Sequence, residues 1–176
     1  MVMVSRVWYV ILGVIVVGLA AVVVVLAATR PGGPIGLGGV MPGPRPASFS
    51  TAGERLYYAA RDDRGKWIAF TGGPSWLTMH GGSCVDCHGP DGRGGKPVMA
   101  GTAVPPDIRY STLTAKEEGM DHPPYTDDTI ERAVIRGIDP GNEPLDLTMP
   151  RWSMSDREMA DLISYLKRLS EEKGKQ

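Results

Sequence analysis

Cysteine is nearly absent from this chain: its 176 residues include two cysteines, Cys84 and Cys87, and three histidines. No cysteine is left over for a structural disulfide. A four-ligand zinc site would need two more ligands at short spacing, and the histidines outside the cysteine segment are His80 and His122. A thioredoxin-like redox pair needs a βαβ setting, whereas glycine-rich segments flank this pair on both sides. These absences exclude the common structural uses of a cysteine pair.

The two cysteines belong to the segment Cys84-Val85-Asp86-Cys87-His88, which has the Cys-x-x-Cys-His spacing of c-type haem attachment. Each thiol at this spacing can form a thioether with a haem vinyl group, and the adjacent imidazole then lies beneath the iron as its proximal ligand. The sequence therefore predicts one covalent haem c, attached through Cys84 and Cys87 and ligated by His88.

An excess of charge of either sign is also lacking, since 19 basic residues face 20 acidic ones. Residues 49–176, which exclude Arg6, Arg30 and Arg45, contain 16 basic and 20 acidic residues. A mildly acidic domain is less suited than a basic one to a strongly acidic docking site. Nucleic-acid binding has no support, and no constellation of catalytic acid, base and nucleophile stands out, so we do not predict an enzyme.

The N-terminal part contains a run of 22 uncharged residues, 7–28. As a helix it would be about 33 Å long, enough for a hydrocarbon core of about 30 Å. Trp8 and Tyr9 lie at one end, where aromatic rings favour the headgroup level. Leu26-Ala27-Ala28 offers small residues to a signal peptidase, but the run exceeds the roughly 7 to 15 apolar residues of a cleaved signal. We therefore predict an uncleaved transmembrane signal-anchor over residues 1–28.

The charges around this segment do not decide its orientation, because Arg6 precedes it and Arg30 and Arg45 follow it. Haem c is attached on the outer side of energy-transducing membranes. We therefore expect a single-pass protein of the inner membrane whose C-terminal domain lies on the periplasmic side.

Residues 29–48 contain six glycines and five prolines, a composition that builds neither a helix nor a packed core. A flexible coil of this length has a root-mean-square span of about 25 Å. This reach would let a small domain move between docking surfaces; the alternative is an ordered strap along a larger complex. The remaining residues, 49–176, form the predicted haem domain.

The predicted haem domain is mostly helical. Capping residues and apolar periodicity predict three helices, over about residues 52–61, 127–136 and 155–169. The last of these has one apolar face, made by Met159, Leu162, Ile163, Leu166 and Leu169. Strands are scarce, and residues 66–70 are predicted to form one arm of a short hairpin before the turn at 71–74.

The order of these features resembles a monohaem class I cytochrome c over about residues 49–169. The features that carry the resemblance are Gly53 and Tyr57, the haem segment, a glycine-rich turn, a middle helix, Met149-Pro150-Arg151-Trp152, and a last helix with Tyr165. The resemblance implies orthogonal helices around one covalently bound haem, here preceded by the membrane segment and the linker. It also implies that the first and last helices cross at a small residue and an aromatic one, with Gly53 or Tyr57 against Leu162 or Tyr165.

The resemblance further implies the second iron ligand. The stretch from Ala133 to Met149-Pro150 resembles the family's approach to its distal methionine, so Met149 is expected opposite His88. A neutral thioether favours ferrous iron more than imidazole does, which implies a relatively high reduction potential. The competing ligands are Met99, Met120, Met154, His80 and His122, of which His122 is the most serious.

Further residues are expected around the haem. The family orients its proximal imidazole with a proline carbonyl beyond the motif, which implies Pro106 or Pro105 here, with Pro97 as the alternative. Guanidinium and indole groups donate hydrogen bonds to carboxylates, so three residues are expected to bind the haem propionates: Trp152, Arg109 and Arg151.

One segment departs from the family pattern, since compact members run almost directly from the first helix into the haem motif. Here residues 62–83 intervene, and their aromatic residues Trp67, Phe70 and Trp76 are expected to cover a haem edge or form a partner surface.

The sequence therefore predicts a single-electron carrier tethered to the outer face of a respiratory-type membrane, with redox proteins as its partners. One alternative is a permanently bound haem c subunit of a membrane oxidoreductase complex. The other is a haem sensor or enzyme with an open sixth position at the iron.

Overall fold

The computed structural model describes residues 45–99, 102–116, 119 and 121–171. In chain order the elements are α1 (Ala52–Ala59), β1 (Phe70–Thr71), α2 (Ser75–His80), α3 (Cys84–His88), α4 (Tyr110–Leu113), α5 (Asp127–Arg136), β2 (Arg151–Trp152) and α6 (Asp156–Glu171). The described part is mostly helical, as predicted. The predicted membrane segment and residues 29–44 of the predicted linker lie outside it. Among the described residues, no helix is long and apolar enough to cross a membrane.

Helix α1 begins where the sequence predicts and ends two residues earlier. The Thr51 side chain accepts a hydrogen bond from the Glu54 backbone N–H, which caps the first turn. At the other end Ala60 adopts a left-handed conformation with φ of 47°, and its carbonyl accepts from the Ile68 N–H at 2.8 Å. Arg61 then pairs with Trp67 in an isolated antiparallel bridge. The returning chain therefore takes Arg61 out of the predicted helix.

The core forms where α1 crosses α6. A Cβ atom at Gly53 would come within 2.7 Å of the Asp161 carbonyl carbon and 2.8 Å of Tyr165 Cβ, so only glycine permits this approach. The rings of Tyr57 and Tyr165 lie 5.1 Å apart beside the crossing. This is the contact that the family resemblance implies. The five apolar residues predicted for the buried face of α6 are all buried.

The predicted hairpin at residues 66–70 is wrong. Phe70 and Thr71 pair instead with Trp152 and Arg151, far along the chain, and α2 follows where the second arm was expected. The reason is tertiary packing: the rings of Phe70 and Trp152 lie 5.0 Å apart, and Trp152 is only 2 % exposed. Residues 62–83 are thereby tied to the segment that follows Met149.

Candidate haem site

The cysteines and the histidine of the motif lie on one face of the short helix α3. Cys84, Cys87 and His88 occupy positions i, i+3 and i+4, which neighbour each other on a helix, and all three line one pocket. Val85, on another face, is buried in the core at 3 % exposure.

The beginning of α3 is closed by a capping box. The Asp86 carboxylate accepts from the Ser83 backbone N–H at 2.8 Å and from the Ser83 hydroxyl at 3.2 Å. These bonds satisfy a terminal N–H group that the helix itself leaves unpaired. At the other end Gly89, with φ of 75°, turns the chain and donates its N–H to the Val85 carbonyl.

The pocket is almost wholly apolar and is shared by several elements. Side chains from α1, α3, α5 and α6 line it, together with loop residues from 98–108 and 145–149. Its empty space is about 1200 Å³, including the part open to solvent. The apolar lining, contributed by several elements, therefore suits a mostly hydrophobic ligand.

His88 lies at the base of this pocket and is 4 % exposed. Its Nδ1 is 2.9 Å from the Pro106 carbonyl oxygen. Burial lowers the pKa of His88, and the bond to Pro106 offsets part of that effect. The imidazole is therefore neutral at pH 7, with Nδ1–H donating to Pro106 and Nε2 left to act as a metal ligand.

Glycines position the Pro106 carbonyl. Gly94, with φ of 58°, approaches so closely that a Cβ atom there would overlap the Pro105 carbonyl and lie 2.6 Å from that of Pro106. Its N–H donates to the His88 carbonyl at 2.8 Å, and the Gly95 N–H donates to that of Pro105 at 2.9 Å. The turn after the motif thus brings Pro106, rather than Pro105, onto the imidazole.

Both thiols favour the neutral, protonated form. Burial raises the pKa of Cys84 to about 12 and the pKa of Cys87 to about 11. Reactive and metal-binding cysteines have a lowered pKa, because the thiolate is the reacting form. In the part of the chain that the structure describes, no cluster of three His, Cys, Asp or Glu side chains could hold a metal ion.

Of the candidates for the second iron ligand, the structure brings Met149 and Met99 to the pocket. Met154 is buried in the core at 8 % exposure. Neither Met154, His80 nor His122 is among the described residues that line the pocket. Met120 lies outside the described residues.

The three expected propionate partners are placed differently. Trp152 lines the pocket. Arg109 instead binds the Asp107 carboxylate, with Nε 3.0 Å from each oxygen, and Arg151 donates to backbone carbonyls of residues 145–149. Neither arginine is among the described residues that line the pocket, so the structure gives both guanidinium groups other partners. The propionate roles of all three residues stay predictions.

Sequence reasoning missed the role of two tyrosine hydroxyls beside α3. Tyr57 donates to the Gly89 carbonyl at 2.6 Å, and Tyr58 donates to the Pro90 carbonyl at 2.9 Å. Burial raises the pKa of Tyr57 far above its usual range, so this phenol remains a neutral donor. The signal available in the sequence was the Tyr-Tyr pair on an amphipathic helix, which does not reveal the acceptors.

A protein-family model described as Cytochrome c matches residues 51–170. The chain belongs to the cytochrome c family. No curated protein and no solved structure matches it. Membership makes the protein a c-type cytochrome, whose domain carries haem c for electron transfer.

The residues of this cytochrome fit that cofactor. Two thiols and one neutral imidazole, all on α3, line the same apolar pocket. Cys84 and Cys87 would attach the haem and His88 would ligate its iron. When bound, haem c supplies a reversible one-electron couple between ferric and ferrous iron. The protein's own part is to hold the imidazole through Pro106 and to exclude water with the apolar side chains of α5 and α6.

Proposed function

We propose that this cytochrome is a single-electron carrier whose haem iron is ligated by His88 and Met149, and which is tethered to the outer face of the inner membrane. The observation that carries the proposal is that His88 and Met149, 61 positions apart in the chain, line the same apolar pocket. A second protein ligand leaves no open position at the iron, which suits electron transfer better than ligand binding. A neutral thioether also implies a relatively high reduction potential.

Substitution of Met149 tests the ligand. The ferric protein should show the weak far-red charge-transfer band of an iron–thioether bond. Met149→Ala should abolish the band, lower the reduction potential and open the reduced iron to carbon monoxide, while the haem stays attached. Met154→Ala is the matched control, because that methionine is buried outside the pocket lining.

Met99 provides the opposing outcome, since it also lines the pocket. If Met99→Ala loses the band and Met149→Ala keeps it, Met99 rather than Met149 is the iron ligand, and the electron-carrier proposal still stands. A high-spin wild-type haem that binds carbon monoxide would replace the carrier proposal with the sensor or enzyme alternative.

The membrane tether is supported by the uncharged run at residues 7–28. A reporter fused after Gln176 should be active only outside the cytoplasm, and the protein should stay with membranes after a carbonate wash. A mature protein that begins near Thr29 and is recovered in solution would contradict the tether. For the tethered carrier, we propose redox proteins on the same side of the membrane as partners.

The alternative, a permanent subunit of a membrane oxidoreductase complex, is supported by Arg45 near the end of the predicted linker. Its guanidinium donates to both oxygens of Asp86, at 2.8 and 3.1 Å, and to the Tyr58 carbonyl at 2.8 Å. The side chain of Arg45 therefore contacts the predicted haem domain instead of extending into solvent. Purification in mild detergent separates the two functions: a carrier should purify alone, whereas a subunit should bring other proteins in fixed ratio.

A further inference from the structure

The side chain of Arg151 turns back toward the segment that precedes it. Its Nη1 donates to the carbonyl oxygen of Asp146 at 3.2 Å and to that of Met149, and its Nη2 donates to that of Leu145 at 2.8 Å. Three carbonyls of one short segment thus share a single guanidinium group. This group carries five N–H donors in a rigid plane, a geometry that lysine cannot reproduce.

Gly137, which ends α5, provides the space for this guanidinium. A Cβ atom at position 137 would overlap Nε and Cζ of Arg151. The Gly137 carbonyl also accepts from the Leu145 N–H at 2.8 Å, and Ile138 pairs with Pro144. The guanidinium therefore lies between the end of α5 and the segment 145–149.

Segment 145–149 has few other means of holding its shape. These five residues, all described, contain neither helix nor strand, and Leu147 is 83 % exposed. Within the segment, Asp146 accepts hydrogen bonds from the backbone and hydroxyl of Thr148. From outside, the Gly73 N–H donates to the Leu147 carbonyl at 3.1 Å. Hydrogen bonds therefore help to determine where the segment lies, together with the partial burial of Leu145 and Met149 in the pocket.

We propose that Arg151 is a positioning residue for Met149: its guanidinium group fixes the backbone of residues 145–149 and so keeps the thioether at the pocket. This inference rests on the proposed role of Met149 as an iron ligand. It assigns to Arg151 a task different from the propionate contact expected from the sequence.

The proposal predicts local opening when Arg151 is removed. Without the guanidinium group, the carbonyls of residues 145–149 lose their charged donor and the segment opens more often. The α1–α6 crossing keeps its contacts, because different parts of a protein open with different free energies. Added imidazole can bind ferric iron only in the open state, so its apparent affinity reports the open fraction.

The experiment uses the ferric holoprotein and compares Arg151→Ala, Arg151→Lys and Arg136→Ala. Arg136 is the matched control, since it is an exposed arginine next to Gly137 on the last turn of α5. Arg151→Ala should bind imidazole about tenfold more tightly than the wild type. It should also lose the far-red band well below the temperature at which its helices unfold. The imidazole affinity of Arg151→Lys should fall between those of the wild type and Arg151→Ala, and Arg136→Ala should match the wild type.

A double-mutant cycle tests the contact itself. Gly137→Ala is strained in any background, because φ at this position is 67°. The overlap with the guanidinium exists only when Arg151 is present. Gly137→Ala should therefore raise the imidazole affinity several-fold more in the wild type than in Arg151→Ala. Equal effects in both backgrounds would overturn the contact.

Three results overturn the proposal. If Arg151→Ala shifts the reduction potential but leaves imidazole binding and the far-red band unchanged, Arg151 is a propionate partner. If the band and the helices are lost together at one lower temperature, Arg151 only stabilises the fold. If Met149→Ala itself leaves the band intact, the proposed function fails and this inference fails with it, whereas failure at Arg151 alone leaves the Met149 ligand standing.

Discussion

The two sides of the haem pocket are held in place in different ways. On the proximal side His88 lies in a helix with its own capping box, is 4 % exposed, and has Nδ1 2.9 Å from the Pro106 carbonyl. On the side that we propose to be distal, Met149 is half-buried in a segment without helix or strand. The proximal ligand thus lies in a capped helix, whereas the segment of Met149 is held by hydrogen bonds from Gly73 and Arg151.

This difference predicts that one side governs haem attachment and the other governs the spectrum and reduction potential of the attached haem. A ligand in a short capped helix next to both thioether cysteines stays near the iron even when other contacts weaken. A ligand in a segment held by backbone hydrogen bonds moves away at a lower free-energy cost. We therefore expect changes on the proximal side to affect whether haem is present, and changes on the distal side to affect the spectrum and potential of a haem that remains.

The largest effect should come from Cys84→Ala, which removes one thioether. Little mature haem protein should accumulate, whereas Met149→Ala should accumulate with haem attached. Haem staining of the denatured polypeptide, with acid-acetone extraction of the native protein, measures both. Equal haem content in the two variants would contradict the claim that the two sides of the pocket affect haem attachment differently.

The next effect should come from Gly53→Ala at the crossing that supports both sides. Glycine to alanine inside a helix ordinarily stabilises by about 0.5 to 1 kcal/mol. Here the added Cβ would meet the backbone of Asp161 in α6, so we expect a loss of about 1 to 3 kcal/mol. Denaturant unfolding should show the far-red band and the helices lost together. A stabilised variant would contradict the tight crossing.

A smaller effect is expected from Tyr57→Phe, on the proximal side alone. The Tyr57 hydroxyl, on a fully buried residue, donates to the Gly89 carbonyl at 2.6 Å, and its loss leaves that oxygen with only the longer bond from the Gly92 N–H at 3.3 Å, so we expect a cost of about 1 kcal/mol in unfolding free energy. Tyr58→Phe is the matched control, because its hydroxyl bonds the next carbonyl from a less buried position. The far-red band should persist in both up to global unfolding. A cost at Tyr58 larger than at Tyr57 would reverse the argument from burial.

The smallest effect should come from Asp127→Asn, because Asp127 is not among the described residues that line the pocket. Asp127 receives hydrogen bonds from Lys167 at 2.7 Å and Tyr110 at 2.8 Å, and these bonds, Lys167 first, hold the pKa of its carboxyl below the usual value. A lowered folded-state pKa stabilises the fold above about pH 4 and ceases to do so as the pH falls through that folded-state value.

Near pH 7 we expect the unfolding free energy of the wild type to exceed that of Asp127→Asn by no more than about 0.5 kcal/mol, because the side chains of Asp127 and Lys167 are both exposed. High salt should reduce the difference. Unfolding at several pH values measures it. An unchanged difference under strongly acidic conditions would show that the carboxylate charge is not responsible.

Local signals in the sequence predicted the proximal half of the site and three of the helices. The Cys84–His88 spacing, the threonine cap of α5 and the apolar face of α6 each depend on residues within a few positions of one another, and α5 has the predicted bounds. Such short-range patterns persist in any fold that buries one helix face.

Pairings outside the helices account for the two predictions about secondary structure that were wrong. The end of α1 depends on the pairing of Arg61 with Trp67, and the strand at Phe70 finds its partner at Trp152. Arg109 is two residues from Asp107, so its partner could have been anticipated, but an exposed acidic residue is not distinguishable in sequence from a bound one.

By itself, the sequence determined the attachment chemistry, since a covalent motif needs only five consecutive residues and one helical turn. Tertiary structure alone decided which proline carbonyl meets His88, which methionines reach the pocket and which residue pairs with Phe70. The physical reason is that a hydrogen bond or a pocket wall requires atoms within a few ångströms of each other. For residues far apart in the chain, only the packing of α1 against α6 and of the connecting loops around the pocket brings them that close.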